Sequence, residues 1–171
     1  MKKYMLSPRS FFDQLCINMN RAVCEESRKF PYGRMGSTVA SVLFWNDTVY
    51  SCNIGDSRIY RLRGDDFLQI STDHVETLPP NSNYKAGLAQ HLGMPEDEIK
   101  IEPSISKSEP KKGDLFLICS NGVTDMLSNV EIFALMKDRQ SVKRITEALI
   151  ETAMKNGGKD NITAIVCKVR I

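Results

Sequence analysis

The stretch over residues 113–127 constrains the fold of this chain more than any other. Leu115–Cys119 is an unbroken apolar run, opened by Gly-Asp and closed by Ser-Asn-Gly. A short apolar run between turn residues is typical of a strand that is buried on both faces. The pair Asn121-Gly122 then predicts a turn, since both residues tolerate positive φ. A polar turn after a buried strand is a common position for a functional site, although an ordinary strand-to-helix turn fits the same residues.

The length and composition indicate one globular domain over residues 1–171. The formal net charge is only +2 and no block of basic residues stands out. We therefore expect neither nucleic acid nor a membrane surface as a partner. No apolar run is long enough to span a bilayer, and the first residues lack the apolar core of an export signal.

The five cysteines favour a reducing compartment. Their number is odd, their spacings are wide, and no Cys-x-x-Cys motif occurs. This pattern predicts reduced, mostly buried thiols in a cytoplasmic protein, and it argues against a zinc site.

The N-terminal part predicts one helix. Ser7-Pro8 supplies a cap followed by proline at the first helical position. The helix is predicted to extend to about residue 30, with an apolar stripe at three- and four-residue steps. That stripe consists of Phe12, Leu15, Met19 and Val23.

The next part changes to a period of two, which is typical of strands. Four short strands are predicted over residues 37–45, 48–54, 57–63 and 66–71, joined by tight polar turns. Consecutive strands with such short connections predict an antiparallel meander.

The rest of the chain mixes helices and strands. We predict a helical turn over 84–92, an edge strand over 100–107, two helices that begin after Ser128 and Ser141, and a last strand over 162–169. The second of these helices is predicted to end near Asn156 and to bury Ile145, Leu149, Ile150 and Ala153. The whole pattern indicates an α+β fold.

Three turns at strand ends concentrate oxygen ligands. They are Gly55-Asp56-Ser57-Arg58, Ser120-Asn121-Gly122 and Lys159-Asp160-Asn161. Mg²⁺ and Mn²⁺ sites are built from carboxylates and waters that separate strand ends bring together. Each turn taken alone is weak support for a metal site, because aspartate is also a common turn former.

In chain order, these turns and their flanks resemble the motifs of PP2C-type, metal-dependent serine/threonine protein phosphatases. The ordered set is Met35-Gly36-Ser37-Thr38, Asn53-Ile54-Gly55-Asp56-Ser57-Arg58, Ser71-Thr72-Asp73-His74, Leu92-Gly93, the stretch from Gly113-Asp114 to Asp125, and Gly158-Lys159-Asp160-Asn161-Ile162-Thr163. The resemblance covers nearly the whole chain from about Phe11. It implies an antiparallel β-sandwich flanked by pairs of helices.

The resemblance also implies a mechanism and a set of site residues. In the family, two Mg²⁺ or Mn²⁺ ions activate a bridging water that attacks phosphoserine or phosphothreonine. Position by position, Asp160 matches a carboxylate ligand of the metal pair. Asp56 matches a ligand of an accessory third metal, and Asn121 matches an aspartate that the family uses as a metal ligand.

Two departures from the family pattern lower the expected metal affinity. Asn121 is a neutral amide and removes one negative charge from the matched position. The family's metal-bridging Asp-Gly motif, a further acidic ligand and a phosphate-binding arginine have no match before Ser7. We therefore expect an N-terminally reduced domain, either a piece of a longer phosphatase or a naturally short relative. In both cases it should bind Mg²⁺ or Mn²⁺ weakly, and we assign no catalytic residue.

The expected function is that of a PP2C-like phosphatase domain, impaired or inactive in this form. One alternative is a pseudophosphatase that binds a phosphoprotein or a regulatory protein without hydrolysis, and another is an unrelated sandwich without metal. An N-terminally reduced sandwich exposes a strand edge, so a homo-oligomer is also expected.

Overall fold

The fold consists of four layers, with two β-sheets packed face to face between outer helices. The computed structural model describes residues 7–30, 35–79, 84, 86–95, 97, 99–138 and 141–170. One buried cluster joins the first helix to the first sheet, a second lies between the two sheets, and a third joins the second sheet to the C-terminal helices. Within the described residues, no helix is both long and apolar enough to cross a membrane.

Four helices and seven strands make up the described structure. The helices are α1 (Pro8–Ser27), α2 (Asn121–Thr124), α3 (Asn129–Lys137) and α4 (Val142–Lys155). The strands are β1 (Val39–Trp45), β2 (Thr48–Ile54), β3 (Arg58–Arg63), β4 (Asp66–Gln69), β5 (Ser104–Ser108), β6 (Leu115–Cys119) and β7 (Ala164–Lys168).

Both sheets are antiparallel, as predicted for an α+β sandwich. The first sheet has the order β1-β2-β5, and the second has the order β4-β3-β6-β7. β6 lies inside the second sheet, and Phe116, Leu117 and Cys119 are buried. The prediction of a strand buried on both faces is therefore confirmed.

The predicted four-strand meander is wrong at its middle. β1 pairs with β2 and β3 pairs with β4, but β2 and β3 belong to different sheets. The chain crosses from one sheet to the other at Gly55, whose φ is +96°. Alternation of polar and apolar residues shows where strands run but not which strands pair, so the sequence pattern did not reveal this crossing.

Helix α1 begins as predicted but buries a different face. The Ser7 side chain accepts a hydrogen bond from the Ser10 amide, which confirms the cap. Leu15 of the predicted stripe is 37% exposed, whereas Cys16 and Asn20 are buried. Asn20 is satisfied there because it donates to the Met94 carbonyl and accepts from the Gly93 amide. Asn20 can be buried because both ends of its amide have backbone partners. A pattern of apolar residues cannot predict such a buried polar position.

Two local predictions in the loops are corrected. Instead of a helical turn over 84–92, the described residues of this segment form isolated bridges, Leu88 with Val75 and Leu92 with Ser37. The predicted turn with positive φ at Asn121-Gly122 is the start of the short helix α2, and neither residue has positive φ. The strand predicted over 100–107 is β5, which begins directly after Pro103 at a sheet edge.

Candidate metal site

The three predicted turns meet at one end of the second sheet. Arg58 at the start of β3 pairs with Cys119 at the end of β6, and Cys119 pairs with Ala164 at the start of β7. Antiparallel pairing thus brings the chain before β3, after β6 and before β7 to the same edge. The structure therefore gathers the turns that carry Asp56, Asn121 and Asp160.

Asn121 contacts Asp56 directly. Its Nδ2 atom donates a hydrogen bond to Asp56 Oδ2 at 3.3 Å, and both side chains are half-buried. The amide therefore directs its positive end at the carboxylate. A carboxylate at position 121 would instead face Asp56 with a second negative charge, which is the arrangement that attracts divalent cations.

The turn that carries Asp160 docks against Ser120 and Gly122. Ser120 Oγ donates to the Asn161 carbonyl and accepts from the Thr163 amide, both at 3.1 Å. A Cβ atom on Gly122 would lie 2.2 Å from the Asn161 carbonyl oxygen, so only glycine permits this approach. The sequence pattern predicted Gly122 as a turn residue and did not reveal this packing role.

Asp160 forms no hydrogen bond with Asn121 or Asp56. Its Oδ1 atom accepts a hydrogen bond from the Asn161 amide at 2.7 Å, and the residue is exposed. In the parts of the chain that the structure describes, no three Asp, Glu, His or Cys residues form a group that could hold a metal ion. The described residues alone therefore do not fit a two-metal centre.

His74 holds the turn before Asp56 in place. Its Nδ1 atom accepts a hydrogen bond from the Gly55 amide at 3.1 Å, and its own amide donates to the Gly55 carbonyl at 3.0 Å. Burial lowers the pKa of His74, against the opposing effect of the Asp73 carboxylate. The imidazole is thus kept neutral, as its role as an acceptor requires.

Two further contacts between motif residues hold the turn at Gly55-Asp56. Thr38 Oγ1 and Ser57 Oγ are 2.8 Å apart. Asn53 donates to the Thr72 carbonyl at 2.8 Å, which ties the end of β2 to the segment before His74. Sequence reasoning found these residues as motif members, but their structural role depends on contacts between distant segments.

Arg58 and Asp73 form an ion pair next to the site. Asp73 Oδ2 accepts from Arg58 Nε at 2.8 Å and lies 2.7 Å from Arg58 Nη2. The other carboxylate oxygen of Asp73 accepts from Gln69 at 2.8 Å. Because this carboxylate is already bonded on both sides, it orders the segment around Asp73 rather than offering a free metal ligand.

A sequence model of the family described as protein phosphatase 2C matches residues 1–166. The chain belongs to the protein phosphatase 2C family. The serine/threonine protein phosphatase PstP of Mycobacterium tuberculosis is 31% identical over 151 residues, which is 79% of this chain and 28% of PstP. The protein phosphatase PhpP of Streptococcus pneumoniae is 28% identical over 170 residues, covering 91% of this chain and 67% of PhpP.

Solved structures of the family have the same fold. The crystal structure of M. tuberculosis PstP/Ppp superposes with a TM-score of 0.78 at 27% identity, covering 89% of this chain and 68% of that one. The PstP catalytic domain in complex with two manganese ions gives a TM-score of 0.75 at 28% identity, covering 89% and 67%. This confirms the predicted family and the sandwich fold.

The match covers only part of some relatives. The chain spans 28% of PstP and 56% of the serine/threonine phosphatase stp of Listeria innocua.

Proposed function

We propose that this chain is a phosphatase domain that hydrolyses phosphoserine and phosphothreonine in proteins with divalent metal ions, and that its activity is impaired in the 171-residue form. Family membership supports the reaction class, and the manganese complex of PstP supports Mn²⁺ or Mg²⁺ as the metal.

The proposed impairment rests on the hydrogen bond that Asn121 donates to Asp56. Divalent oxygen-ligand sites rely on the number of carboxylates for their affinity. Here Asp56 is paired with a neutral amide and Asp160 stands apart, so the site provides too little negative charge for tight binding.

The same contact favours a second candidate function. A site that keeps the fold of the family but holds metal poorly can bind a phosphorylated protein, or a regulator of one, without hydrolysing it. This pseudophosphatase would still bind the phosphorylated protein or its regulator. It would differ from the phosphatase only in that it does not hydrolyse the phosphate.

A phosphatase assay separates these functions. Peptides that carry phosphoserine or phosphothreonine should be incubated with the chain and increasing Mn²⁺, while phosphate release and peptide binding are followed separately. We expect slow release that requires millimolar Mn²⁺ and is abolished by a chelator and by Asp160→Asn.

Each other outcome changes the proposal in a defined way. Binding without release at every Mn²⁺ concentration would establish the pseudophosphatase. Rapid release at micromolar Mn²⁺ would overturn the impairment, and neither release nor binding would overturn both functions.

The proposal extends to location and assembly. Five free cysteines, three of them buried, suit a reducing compartment, so we place the chain in the cytoplasm. The outer strands of the two sheets, as the described residues form them, suit pairing between copies of the chain. Cell fractionation with an antibody against the protein tests the location.

A further inference from the structure

Two buried thiols from distant parts of the chain meet beneath helix α1. Cys16 on α1 and Cys52 on β2 place their Sγ atoms 3.7 Å apart, and the two residues are 0% and 1% exposed. A disulfide has an S–S distance of about 2.05 Å, so the sulfur atoms need to approach by less than about 2 Å. Both cysteines are free in this structure.

The contact between their sulfur atoms distinguishes Cys16 and Cys52 from the other cysteines. Cys24, two turns further along α1, points its thiol at the Met94 carbonyl at 3.4 Å. Cys119 is buried at the end of β6, where burial raises the pKa of its thiol to about 12 and makes it unreactive. Only a thiol with a second thiol beside it can pass from the first oxidation step to a disulfide within one molecule.

The two thiols of the pair are not equivalent. The hydrogen bond between the two thiols lowers the pKa of Cys16, against the opposing effect of burial, and the same hydrogen bond raises the pKa of Cys52. Cys16 is therefore the thiol of the pair that ionises more readily. The thiolate is the form that attacks an oxidant.

We propose that Cys16 and Cys52 form an oxidative modification site, in which a peroxide joins their sulfur atoms in a disulfide between α1 and β2. The Cys16 thiolate attacks one peroxide oxygen, the O–O bond breaks, and the products are a Cys16 sulfenic acid and hydroxide. The Cys52 sulfur then displaces the sulfenic oxygen, which leaves as water with the thiol proton. Over both steps two thiols lose two electrons and two protons, and hydrogen peroxide is reduced to two waters.

Access of the oxidant depends on α1. The buried side of this helix covers the pair, whereas its outer side exposes Phe11 and Leu15 to solvent at 44% and 37%. Brief separation of α1 from the sheet therefore exposes both thiols together, and the disulfide then prevents further separation. We expect oxidation to accelerate in urea concentrations that are too low to unfold the whole domain.

The cross-link connects the helix to the strand that leads into the candidate site. β2 ends at Ile54, directly before Gly55 and Asp56. Closing the loop between residues 16 and 52 restricts the unfolded chain, so the oxidised protein should have a Tm higher by about 5–10 °C. Oxidation would thus fix α1 on the sheet without consuming any residue of the site.

The experiment uses the whole 171-residue chain. The protein is treated with hydrogen peroxide, its remaining thiols are alkylated, and it is digested without reductant for mass spectrometry. We expect a peptide pair joined through Cys16 and Cys52, lighter by two hydrogen atoms than the sum of its parts, together with the rise in Tm. Dithiothreitol should reverse both changes.

Matched variants separate this pair from general oxidation. Cys24→Ser changes a thiol on the same helix and should keep both the cross-link and the rise in Tm, whereas Cys52→Ser should lose both. If folded wild-type protein yields Cys16 and Cys52 still reduced, singly oxidised or joined to other cysteines, the proposal is overturned. A cross-link that leaves Tm unchanged would overturn the proposed fixing of α1.

Discussion

At the scale of single residues, the contact between Asn121 and Asp56 determines the charge of the candidate site. Asn121 donates to Asp56 from a half-buried position, so a carboxylate predicted to face a cation faces an amide instead. Two unit charges in contact near a protein surface interact by about 4 kcal/mol at an effective dielectric constant of 20, before desolvation is counted. A fraction of this energy changes a binding constant tenfold.

We therefore expect Asn121→Asp to bind Mn²⁺ at least about tenfold more tightly than the wild type. Asn46→Asp is the matched control, because it adds the same charge in the turn at the opposite end of β2. Calorimetric titration of both variants measures the effect. Equal affinities in wild type and Asn121→Asp would show that position 121 does not face the metal.

Gly122 makes a second prediction at this scale. An added Cβ atom would lie 2.2 Å from the Asn161 carbonyl oxygen, and a backbone atom cannot move aside as a side chain can. Gly122→Ala should lower the free energy of unfolding by about 1–3 kcal/mol, measured by urea denaturation. Gly36→Ala is the control, since its Cβ would lie nearest to the His91 side chain, at 3.0 Å, and no closer than 3.4 Å to a backbone atom, the Leu92 carbonyl oxygen. Equal losses in the two variants would contradict the packing argument.

The sequence pattern selected the residues of the candidate site but did not reveal which of them are in contact. Asp56, Asn121 and Asp160 stand in recognisable motifs, so their types and order were enough to select them. The direction of the Asn121 amide and the close approach to Gly122 depend on strands far apart in the chain. A sequence pattern carries no such distances.

At the scale of elements, the segment that contains His74 supports the crossing between the two sheets. Nδ1 of His74 accepts from the Gly55 amide only while the ring is neutral, and burial lowers the pKa of His74. The unfolded chain therefore binds a proton more readily than the folded chain. The contribution of neutral His74 to the free energy of unfolding is therefore fully present above the ordinary pKa of 6.5. It is lost as the pH falls below that value.

We expect the free energy of unfolding to decrease between pH 7 and pH 5, with a contribution from His74 of at most about 1.4 kcal/mol per pH unit. Urea denaturation across this range measures it. His74→Asn keeps a side-chain acceptor without a titrating group, so its curve should be flatter. Parallel pH dependence in the two proteins would be inconsistent with this role of His74.

Caps, turns and strands with local signals were predicted well, whereas the pairing between distant segments was not. Ser128 and Glu131 form the predicted capping box, and Asn46-Asp47 forms the predicted hairpin turn with positive φ at both residues. The bridge between Val75 and Leu88 replaces a predicted helical turn, because its partner lies outside any local window. Local backbone preference decides where caps and hairpin turns form, whereas tertiary contacts decide which distant segments pair.

At the scale of the whole molecule, each sheet of the sandwich has two outer strands among the described residues. β1 and β5 are the outer strands of the first sheet, and β4 and β7 are those of the second. Phe44 on the outer strand β1 is 47% exposed, although its ring also packs edge-on against the buried Phe116, with the ring centroids 5.6 Å apart. The edges of outer strands readily pair with a second chain.

We expect a dimer in light scattering at high protein concentration, formed through β1. Phe44→Lys should shift the population toward the monomer, because a charge on an edge strand opposes pairing. Leu68→Lys is the control, since Leu68 is 48% exposed on β4, at the edge of the other sheet. A wild-type protein that stays monomeric at every concentration would argue against this assembly.

Calorimetric titration of Mn²⁺ into the unmodified 171-residue chain tests the central proposal, that the described part of this protein phosphatase 2C domain provides too few carboxylates for tight metal binding. The described residues provide Asp56 bonded to an amide and Asp160 standing apart. We expect a Kd no tighter than about 1 mM, at the weak end of sites built from oxygen ligands. Two ions bound with micromolar Kd would contradict the account.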